Sequence, residues 1–383
     1  MERLPDNSGD IDKWLTLYHS DGVGPVTFLK LLKYFGSVDR ALGATVRELK
    51  KVDGIGSKTA EKIAAARDKF EPQPELELAH KLGVCIMHIR DDRYPTLLKR
   101  IYDPPVVLYV KGTLNRADNL SVAIVGSRRC TLYGQEQASR FAHFLAGAGF
   151  TICSGMARGI DSAAHQGALS ANGRTIAVQG CGLANVFPPE NKELFDKITE
   201  NGACLSELPL RYEPLSENFP PRNRIIAGLS LGTIVIEAGL RSGALITAQS
   251  ALANNREVMA VPGKVDSPLS KGANSLIKQG ARLIDSVEDV VEALGYIGEQ
   301  LKVHVTAEAE EAENAQRDSL FTEQALRLTG DEQRVYDCLD KEPVHIEEVI
   351  NRCSLGAGNV NAAVVALRLK GLIKTLPGNH FAK

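Results

Sequence analysis

Apolar and polar positions follow two different periods along residues 121–170. A short apolar run over residues 121–125 stops at a polar loop that contains glycine, and from Tyr133 onward the apolar positions recur with the spacing of a helix. A second apolar run, residues 150–153, leads into another glycine-containing loop and a second helical stretch that starts at Ile160. This order of strand, loop and helix, met twice, predicts a parallel sheet covered by helices.

Later parts of the chain extend this sheet. Further short apolar runs cover residues 104–110, 175–178, 203–207, 232–237 and 257–261. The sequence therefore predicts an α/β domain, which we place at residues 76–297.

The loops that follow the first two strands combine glycine, serine and arginine. Ligands of open parallel sheets bind at the carboxyl ends of the strands, where these loops lie. Glycine lets backbone N–H groups approach a phosphate, a helix N-terminus adds positive partial charge, and Arg128 or Arg158 could grip two phosphate oxygens at once. The pattern predicts one anion site that is built by both loops.

A dinucleotide cofactor fits this pattern poorly. From Gly126 the chain reads Gly-Ser-Arg-Arg-Cys-Thr, whereas dinucleotide sites read Gly-x-Gly-x-x-Gly. The second strand ends at Cys153-Ser154, where NAD binding requires an acidic residue for the ribose. We therefore expect no cofactor. Metal-ligating residues also show no recognisable spacing, so we expect no metal.

Residues 1–75 are predicted to form a helical domain in which one short pattern occurs twice. Gly22-Val23-Gly24-Pro25 and Gly54-Ile55-Gly56-Ser57 each stand between two helical stretches. The pair looks like two helix-hairpin-helix motifs of a SAM-like domain, whose backbone amides grip DNA phosphates without reading sequence. Lysines surround the second tetrapeptide, which together with Lys58 is a secondary candidate for DNA contact. The alternative is a small helical bundle whose hairpins only turn the chain.

The C-terminal part divides into a tether and a small domain. Residues 298–324 include an acidic, alanine-rich stretch and are predicted to form a flexible linker. Residues 325–383 contain three helical stretches followed by strand, turn and strand, which is the order of a winged helix. Basic residues without intervening acids make Arg368 and Lys370 secondary candidates for DNA contact by the third helix or the wing. That helix carries few base-reading side chains, which leaves a protein-docking role open.

Composition narrows the class of protein further. The chain has 383 residues, a net charge of −2 and a pI of about 6.5, so any nucleic-acid site must be a local patch. The seven cysteines include no Cys-x-x-Cys pair, which is typical of reduced thiols in a cytosolic protein. The N-terminus lacks a signal-peptide core, and no apolar run approaches the ~20 residues that cross a bilayer. We expect a cytoplasmic protein without a membrane partner.

Several motifs of the central domain resemble those of one family. They include Ala123-Ile124-Val125-Gly126-Ser127-Arg128, Ser154-Gly155-Met156-Ala157-Arg158-Gly159-Ile160-Asp161, Phe219-Pro220-Pro221-Arg222-Asn223-Arg224, Ser242-Gly243-Ala244, Val261-Pro262-Gly263 and Gly272-Ala273-Asn274. They resemble the DNA-processing protein A family, also called Smf, and the match covers the whole central domain. The resemblance implies a Rossmann-like fold for this domain.

The resemblance also implies a function. It implies a single-stranded-DNA-binding protein that forms a homodimer through this Rossmann-like domain, protects incoming DNA and loads the recombinase RecA during natural transformation. We expect no enzymatic activity. By the same resemblance, the Gly126-Ser127-Arg128 loop, Lys192 and Phe195 match positions that contact the strand. Arg128 and Lys192 would neutralise phosphates, and Phe195 would offer a face to a base. The alternatives are that Phe195 is an ordinary core aromatic and Lys192 a solvated helix residue.

We expect the DNA contacts to come from residues at strand ends and in the loops that follow them. The candidates are Gly126, Ser127, Arg128, Ser154, Gly155, Arg158, Lys192, Phe195, Arg222, Asn223, Arg224, Ser242 and Gly243. Arg222 and Arg224 follow a double proline and precede a helix, so they could line the same groove. Alternatively, Arg222 pairs with Glu237 or Glu207 as a buried structural ion pair.

Two other classes of function compete with this hypothesis. Nucleotide hydrolases on related scaffolds carry a Pro-Gly-Gly-x-Gly-Thr loop before a glutamate, but residues 229–233 before Glu237 lack the proline and the first glycines. A triad of Ser154, Asp161 and His165 is also disfavoured, because Asp161 is better explained as a cap or first-turn acid and His165 as its packed neighbour. The third hypothesis is a duplex-binding regulator that uses the winged helix.

Overall fold

A computed structural model of the chain describes residues 8–295, 328–340, 344–353, 355–369, 372–376 and 380–383. The helices are α1 (Ser8–Tyr18), α2 (Pro25–Phe35), α3 (Val38–Gly43), α4 (Val46–Leu49), α5 (Ser57–Lys69), α6 (Gln73–Leu82), α7 (Thr96–Lys99), α8 (Leu132–Gly147), α9 (Ile160–Ser170), α10 (Lys192–Asn201), α11 (Phe219–Leu229), α12 (Gly243–Ala253), α13 (Lys271–Lys278), α14 (287–295), α15 (Gly330–Asp337), α16 (Ile346–Cys353) and α17 (Ala357–Leu369). The strands are β1 (Val84–His88), β2 (Val107–Gly112), β3 (Ser121–Val125), β4 (Thr151–Ser154), β5 (Thr175–Val178), β6 (Gly202–Ser206), β7 (Gly232–Val235), β8 (Glu257–Ala260), β9 (Arg282–Leu283), β10 (Val344–His345), β11 (Lys374–Leu376) and β12 (His380–Ala382). The predicted linker at residues 298–324 lies outside the described residues.

A nine-stranded sheet forms the centre of the molecule. Its strand order is β1-β2-β6-β5-β4-β3-β7-β8-β9. Along this order, every neighbouring pair from β6 to β9 is parallel. The chain winds outward from β3 in one direction through β6 and in the other direction from β7 through β9. This doubly wound order confirms the predicted Rossmann-like α/β fold.

The parallel strands are buried on both faces, which explains their continuous apolar runs. Val122 and Ile124 of β3 pack into the apolar cluster under α8 and α9. Ala123 and Val125 point to the opposite face and join a second cluster, which α11 and α12 also enter. Because the side-chain period of a strand is two, one short run serves both layers.

The N-terminal helices continue this second apolar cluster. Trp14 of α1 stacks on Phe28 at 5.2 Å between ring centroids and on His88 of β1 at 4.3 Å. Glu75 of α6 accepts a hydrogen bond from the backbone N–H of Leu210 at 2.7 Å. The core is therefore continuous from the helix-hairpin-helix motifs into the sheet, and the predicted domain boundaries stay predictions.

The winged helix is present as predicted and packs against the sheet domain. α15, α16 and α17 surround a small apolar core, and β10, β12 and β11 form a three-stranded sheet. Val365 of α17 belongs to the apolar cluster of α8, and a methyl group at Gly147 of α8 would lie 3.6 Å from Ala362 Cβ. The third helix thus has one face in its own domain and one face on α8.

Candidate nucleic-acid interface

The carboxyl ends of the parallel strands lie along one edge of the sheet, which we call the carboxyl edge. Its loops are residues 126–131, 155–159, 179–191, 207–218, 236–242 and 261–270. Because neighbouring parallel strands end at the same edge, the sequence-predicted site residues of different loops come together there. The helices that follow these loops run back toward the opposite edge.

Contacts between the loops show that the candidates form one continuous surface. Gly159 has a φ of +78° and packs so closely that a methyl group there would lie 2.5 Å from Ser127 O. Asn191 donates to the backbone O of Met156 at 2.9 Å, and it directly precedes Lys192. The loops after β3, β4 and β5 therefore adjoin one another, and Arg128, Arg158 and Lys192 lie on the same edge.

The N-terminus of α8 already holds a carboxylate of the protein. Glu237, which follows β7, accepts hydrogen bonds from Thr131 N and Thr131 Oγ1, each at 2.8 Å. Its backbone O also accepts from Ser127 N at 2.7 Å. Gly134 leaves room for this carboxylate, because a methyl group there would lie 2.5 Å from Glu237 Oε2. The positive end of the helix dipole is thus neutralised internally.

The backbone amides of the second loop are occupied in the same way. Asp161 accepts hydrogen bonds from Gly155 N at 3.1 Å and Ala157 N at 3.3 Å, which confirms its interpretation as a first-turn acid. Burial raises the pKa of Asp161, while the nearby Arg222 guanidinium and these two N–H donors oppose that rise. The expected cradle of backbone amides for a phosphate is therefore wrong for these groups, since Glu237 and Asp161 fill both places.

Arg222 is a buried structural residue. It is 4% exposed, and its guanidinium donates to the backbone O of Gly155 at 2.9 Å and to that of Val178. Burial lowers its pKa to about 10, although Asp161 acts in the opposite direction. The expected DNA contact of Arg222 is thus not supported. The alternative of a structural role is correct, but its charged neighbour is Asp161 and neither Glu237 nor Glu207.

Arg224, rather than Arg222, forms the expected ion pair with Glu207. Its guanidinium binds Glu207 Oε2 at 2.7 Å and Asp103 Oδ2 at 2.7 Å, and its side chain is only 12% exposed. Two carboxylates on one guanidinium leave no site for a phosphate, so Arg224 is also removed from the interface. The pair joins α11 to the loop after β6 and to the chain before β2.

Three further candidates form hydrogen bonds within the protein. Ser154 is buried and donates from Oγ to the backbone O of Ile124 at 2.7 Å. Asn223 is 9% exposed and donates to the backbone O of Gly243 at 3.2 Å. Ser242 caps α12, with Oγ accepting from Ala244 N at 3.3 Å. These side chains hold strands and helices in place, while exposed Gly243 leaves the backbone of that loop accessible.

Phe195 is a core residue in this structure. Its ring is 1% exposed and belongs to the apolar cluster that joins α10 to the sheet. Lys111 Nζ and Lys192 Nζ each lie 5.5 Å from its ring centroid. A base cannot reach this ring, so the expected stacking on Phe195 is wrong and its alternative as a core aromatic is correct.

Three predicted cations remain exposed on the carboxyl edge. Arg158 pairs with Glu190, and Lys192 pairs with Asp196, in ion pairs whose side chains are about half exposed. Arg128 differs from both, because among the described residues its guanidinium has no carboxylate partner and lies 5.1 Å from the Phe219 ring centroid. Exposed ion pairs contribute only ~0.2–1 kcal/mol, so phosphates can compete for all three cations.

Several residues of the carboxyl edge were not predicted from the sequence. Four exposed cations stand in its loops: Arg129, Arg211, Arg241 and Lys264. The aromatic residues Phe187 and Phe219 also lie there, with ring centroids 5.4 Å apart. Their position in the sequence could have indicated them, because each follows a predicted strand or opens the helix after one.

The structure supports neither the triad of Ser154, Asp161 and His165 nor a hydrolase site at Glu237. Ser154 donates away from His165, and His165 is buried with Nδ1 2.6 Å from Thr175 Oγ1, as expected of a packed neighbour. Burial and the nearby Arg222 lower the pKa of His165 to about 3. Glu237, the acid that a hydrolase would require, is 5% exposed and bound to Thr131.

The two helix-hairpin-helix motifs neutralise part of their own charge. Lys30 Nζ of the first motif lies 2.9 Å from Asp53 Oδ2 of the second. Likewise, Lys62 Nζ of the second motif lies 3.3 Å from Asp21 Oδ2 of the first. Gly54 has a φ of +84° beside Lys30, and Gly56 is the N-cap of α5 with open space around it. Lys58 remains exposed, so DNA contact by this second hairpin stays a prediction.

The third helix of the winged helix is largely covered by the protein itself. Residues 363–367 of α17 are all buried, and Arg368 is half-buried at its end. In this arrangement the helix cannot present that stretch to a DNA groove, which favours a docking role for α17, and DNA contact through Arg368 stays a prediction. Lys370, the other candidate, lies outside the described residues.

The described chain offers no membrane segment and no metal site. None of its helices combines the length and apolar character required to cross a bilayer. Within the same residues, no three histidine, cysteine, aspartate or glutamate side chains are grouped closely enough to hold a metal ion.

Family comparisons agree with this three-part organisation. A family model described as DNA recombination-mediator protein A matches residues 85–295. A model of the DprA winged helix domain matches residues 319–379, and a model of a SAM-like helix-hairpin-helix tandem matches residues 20–69.

Related proteins and solved structures match the same family. The chain is 35% identical to Protein Smf of Synechocystis over 97% of this chain and 98% of that protein, and 40% identical to Protein Smf of Escherichia coli over 75% and 74%. It resembles the X-ray structure of DNA processing protein A from Streptococcus pneumoniae with a TM-score of 0.64 and 36% identity, covering 73% of this chain and 97% of that one. It also resembles a structure of DNA processing protein A from Helicobacter pylori, which is described for its single-stranded DNA binding mode. That match has a TM-score of 0.50 and 30% identity, and it covers 56% of this chain and 96% of that one.

Proposed function

The chain belongs to the DNA processing protein A (DprA/Smf) family, and from this premise we propose that it binds single-stranded DNA along the carboxyl edge of its sheet. Support comes from the Helicobacter pylori relative, whose structure is described for its single-stranded DNA binding mode. The exposed cations of the carboxyl edge also support the proposal. The bound species is a sugar-phosphate chain, which is held by arginine and lysine side chains rather than by backbone amides.

The single observation that carries the proposal is the state of Arg128. It is exposed, it lacks a carboxylate partner in the described chain, and it adjoins the Arg158 and Lys192 loops. A cation without a counter-ion gains most from a phosphate, because no existing ion pair has to be broken. Arg158, in the loop after β4, and Lys192, at the start of α10, then extend this basic track.

Salt-dependent fluorescence anisotropy with a labelled oligothymidylate tests the site. Each phosphate contact to a single strand contributes about 0.7 to the slope of log K against log salt concentration. We expect Arg128→Ala and Lys192→Ala each to lower that slope by ~0.7 and to weaken binding. Binding should also favour the single strand over a duplex of the same length.

Lys197 provides the matched control for Lys192. Both lysines belong to α10, both form an ion pair with an acid four residues away, and their side chains are 57% and 58% exposed. Lys197 lies ~7.5 Å farther along the helix, away from the carboxyl edge. Lys197→Ala should leave the slope unchanged. Equal slopes for wild type, Arg128→Ala and Lys192→Ala would refute this site, and a duplex preference would refute the proposed function.

The proposal includes a recombinase partner. The family model is described as a recombination-mediator protein, which supports loading of RecA onto incoming single strands during natural transformation. Addition of the protein to RecA and DNA coated by single-strand-binding protein should shorten the lag before ATP hydrolysis. An unchanged lag would contradict the loading step and leave the DNA-binding step standing.

The proposal also includes a non-enzymatic, cytoplasmic homodimer. Light scattering should give twice the monomer mass of 41.4 kDa. The seven free cysteines support a reducing compartment. The commitment of Ser154 and Glu237 to structural hydrogen bonds supports a binding protein rather than a hydrolase.

A further inference from the structure

The chain contains the tripeptide Phe-Pro-Pro twice, and the fold brings the two copies together. Phe187 lies in the loop after β5, and Phe219 opens α11 after the loop that follows β6. Their ring centroids are 5.4 Å apart with the ring planes inclined by 45°. Two segments separated by thirty-odd residues thus present one aromatic pair on the carboxyl edge.

Core packing does not account for this pair. The large core aromatics of the sheet domain, such as Phe141, Phe150 and Phe195, are at most 2% exposed and lie inside its apolar clusters. Phe187 and Phe219 are half-buried, and neither belongs to the apolar clusters of the described chain. Their described ring contacts are with each other and with arginine.

The surroundings of Phe219 hold its ring in place. A methyl group at Gly180 would lie 2.8 Å from Phe219 Cδ1, so the backbone after β5 backs the ring closely. The buried Arg222 guanidinium lies 5.8 Å from the ring centroid, and that arginine is itself fixed by two backbone carbonyls. A ring held in this way loses little conformational entropy when a flat partner stacks on it.

Arg128 joins this pair to the phosphate track. Its exposed guanidinium lies 5.1 Å from the Phe219 centroid, so one side chain adjoins both the aromatic pair and the neighbouring cations. Proteins that bind single strands combine such aromatic faces with a basic path for the backbone. Paired bases in a duplex are stacked on their neighbours and cannot offer their faces, whereas bases of a single strand can.

We propose that Phe187 and Phe219 form a base-stacking subsite for one nucleobase of a single strand, with Arg128 holding the adjoining phosphate. This inference rests on the proposed function and specifies how the strand lies on the edge. Stacking is tolerant of base identity, because every base has a π-face. The subsite therefore selects unpaired DNA rather than a sequence.

Binding to oligothymidylate and to an abasic phosphodiester of the same length separates stacking from phosphate contact. Wild type should bind the thymidylate more tightly. Phe187→Leu and Phe219→Leu keep apolar volume but remove the aromatic face, so each should weaken thymidylate binding roughly 5- to 100-fold and leave abasic binding unchanged. Phe187→Tyr and Phe219→Tyr keep a ring and should retain the preference. Arg128→Ala should weaken both ligands by the same factor.

Tyr102→Leu is the control for loss of an exposed aromatic residue. Tyr102 is 82% exposed, and its backbone N–H bonds to Asn254 at the opposite edge of the sheet. This variant should bind both ligands like wild type. If wild type bound thymidylate and abasic strands equally, or if the leucine variants weakened both ligands equally, the subsite would be refuted while the proposed function stood. If wild type bound neither ligand, the proposed function itself would fall.

Discussion

His165 is a buried neutral imidazole whose proton can be assigned. The Thr175 hydroxyl donates to the backbone O of Ile152 at 2.7 Å, so it must accept from His165 Nδ1. Burial and the positive charge of Arg222 lower the pKa of His165 to about 3, against an ordinary value of 6.5. The unfolded chain therefore binds a proton between these two pH values, and the folded chain does not.

This difference predicts an acid-dependent loss of stability. A group with a lowered folded pKa stabilises the fold above its unfolded pKa, and the stabilisation is lost as the pH falls toward the folded pKa. His165→Asn retains a donor near Nδ1 and cannot titrate. Between pH 7.5 and 4.5, the free energy of unfolding of wild type should fall by ~2–3 kcal/mol more than that of the variant. Urea denaturation of both proteins at four pH values would measure this difference. An equal change in the free energy of unfolding of wild type and variant would contradict the prediction.

Individual side chains at the site were harder to predict than the loops that carry them. The sequence correctly located Arg128 and Arg158 in loops that follow strands and Lys192 at the start of a helix, because each stands next to a clear apolar run or helix start. It could not separate Arg222 from Arg224, since both follow the same double proline. On α11 they point about 160° apart, and only the packing of that helix decides which one is buried against Asp161.

At the scale of elements, α8 depends on Glu237 at its N-terminus. Gly134 lies in the first turn, where a methyl group would be 2.5 Å from Glu237 Oε2. Gly134→Ala should displace this carboxylate and destabilise the protein by ~1–3 kcal/mol. Gly147, the last residue of the same helix, is the matched control, because its nearest described neighbour would be 3.6 Å away. Chemical denaturation should find Gly147→Ala at least as stable as wild type, and equal losses for both variants would contradict the role of Glu237.

The secondary structure of the sheet was predictable because its strands are buried on both faces. The runs at 121–125 and 175–178 match β3 and β5 residue for residue. The occupancy of the helix N-termini was not predictable, because Glu237 reaches α8 from the loop after β7, about a hundred residues later in the chain. Glycine-rich loops before helices predict an anion, and here the anions belong to the protein.

At the scale of the whole molecule, the winged helix is docked on α8. Gly358 of α17 approaches Phe144, and Val365 enters the apolar cluster of the sheet domain. Val364, the preceding residue, instead belongs to the core of the winged helix. Two adjacent valines thus serve different interfaces, which gives a clean way to separate docking from folding.

Val365→Glu should undock the winged helix without unfolding it. A glutamate on this face buries a charge against apolar side chains unless the two surfaces separate. Small-angle X-ray scattering should show a larger radius of gyration, with the circular dichroism of wild type retained. Val364→Glu should instead reduce the helical signal. An unchanged radius of gyration for Val365→Glu would contradict the docked arrangement.

Hydrogen–deuterium exchange of the full chain, with and without oligothymidylate, would locate the bound strand on the protein. If a single strand lies on the carboxyl edge, the loops at residues 126–131, 155–159 and 187–191 should exchange more slowly when DNA is bound. Segments at the opposite edge, such as residues 254–256, should not change. Unchanged exchange in those three loops, with protection confined to residues 54–58 or 357–369, would contradict the account and move the DNA site to the hairpins or the winged helix.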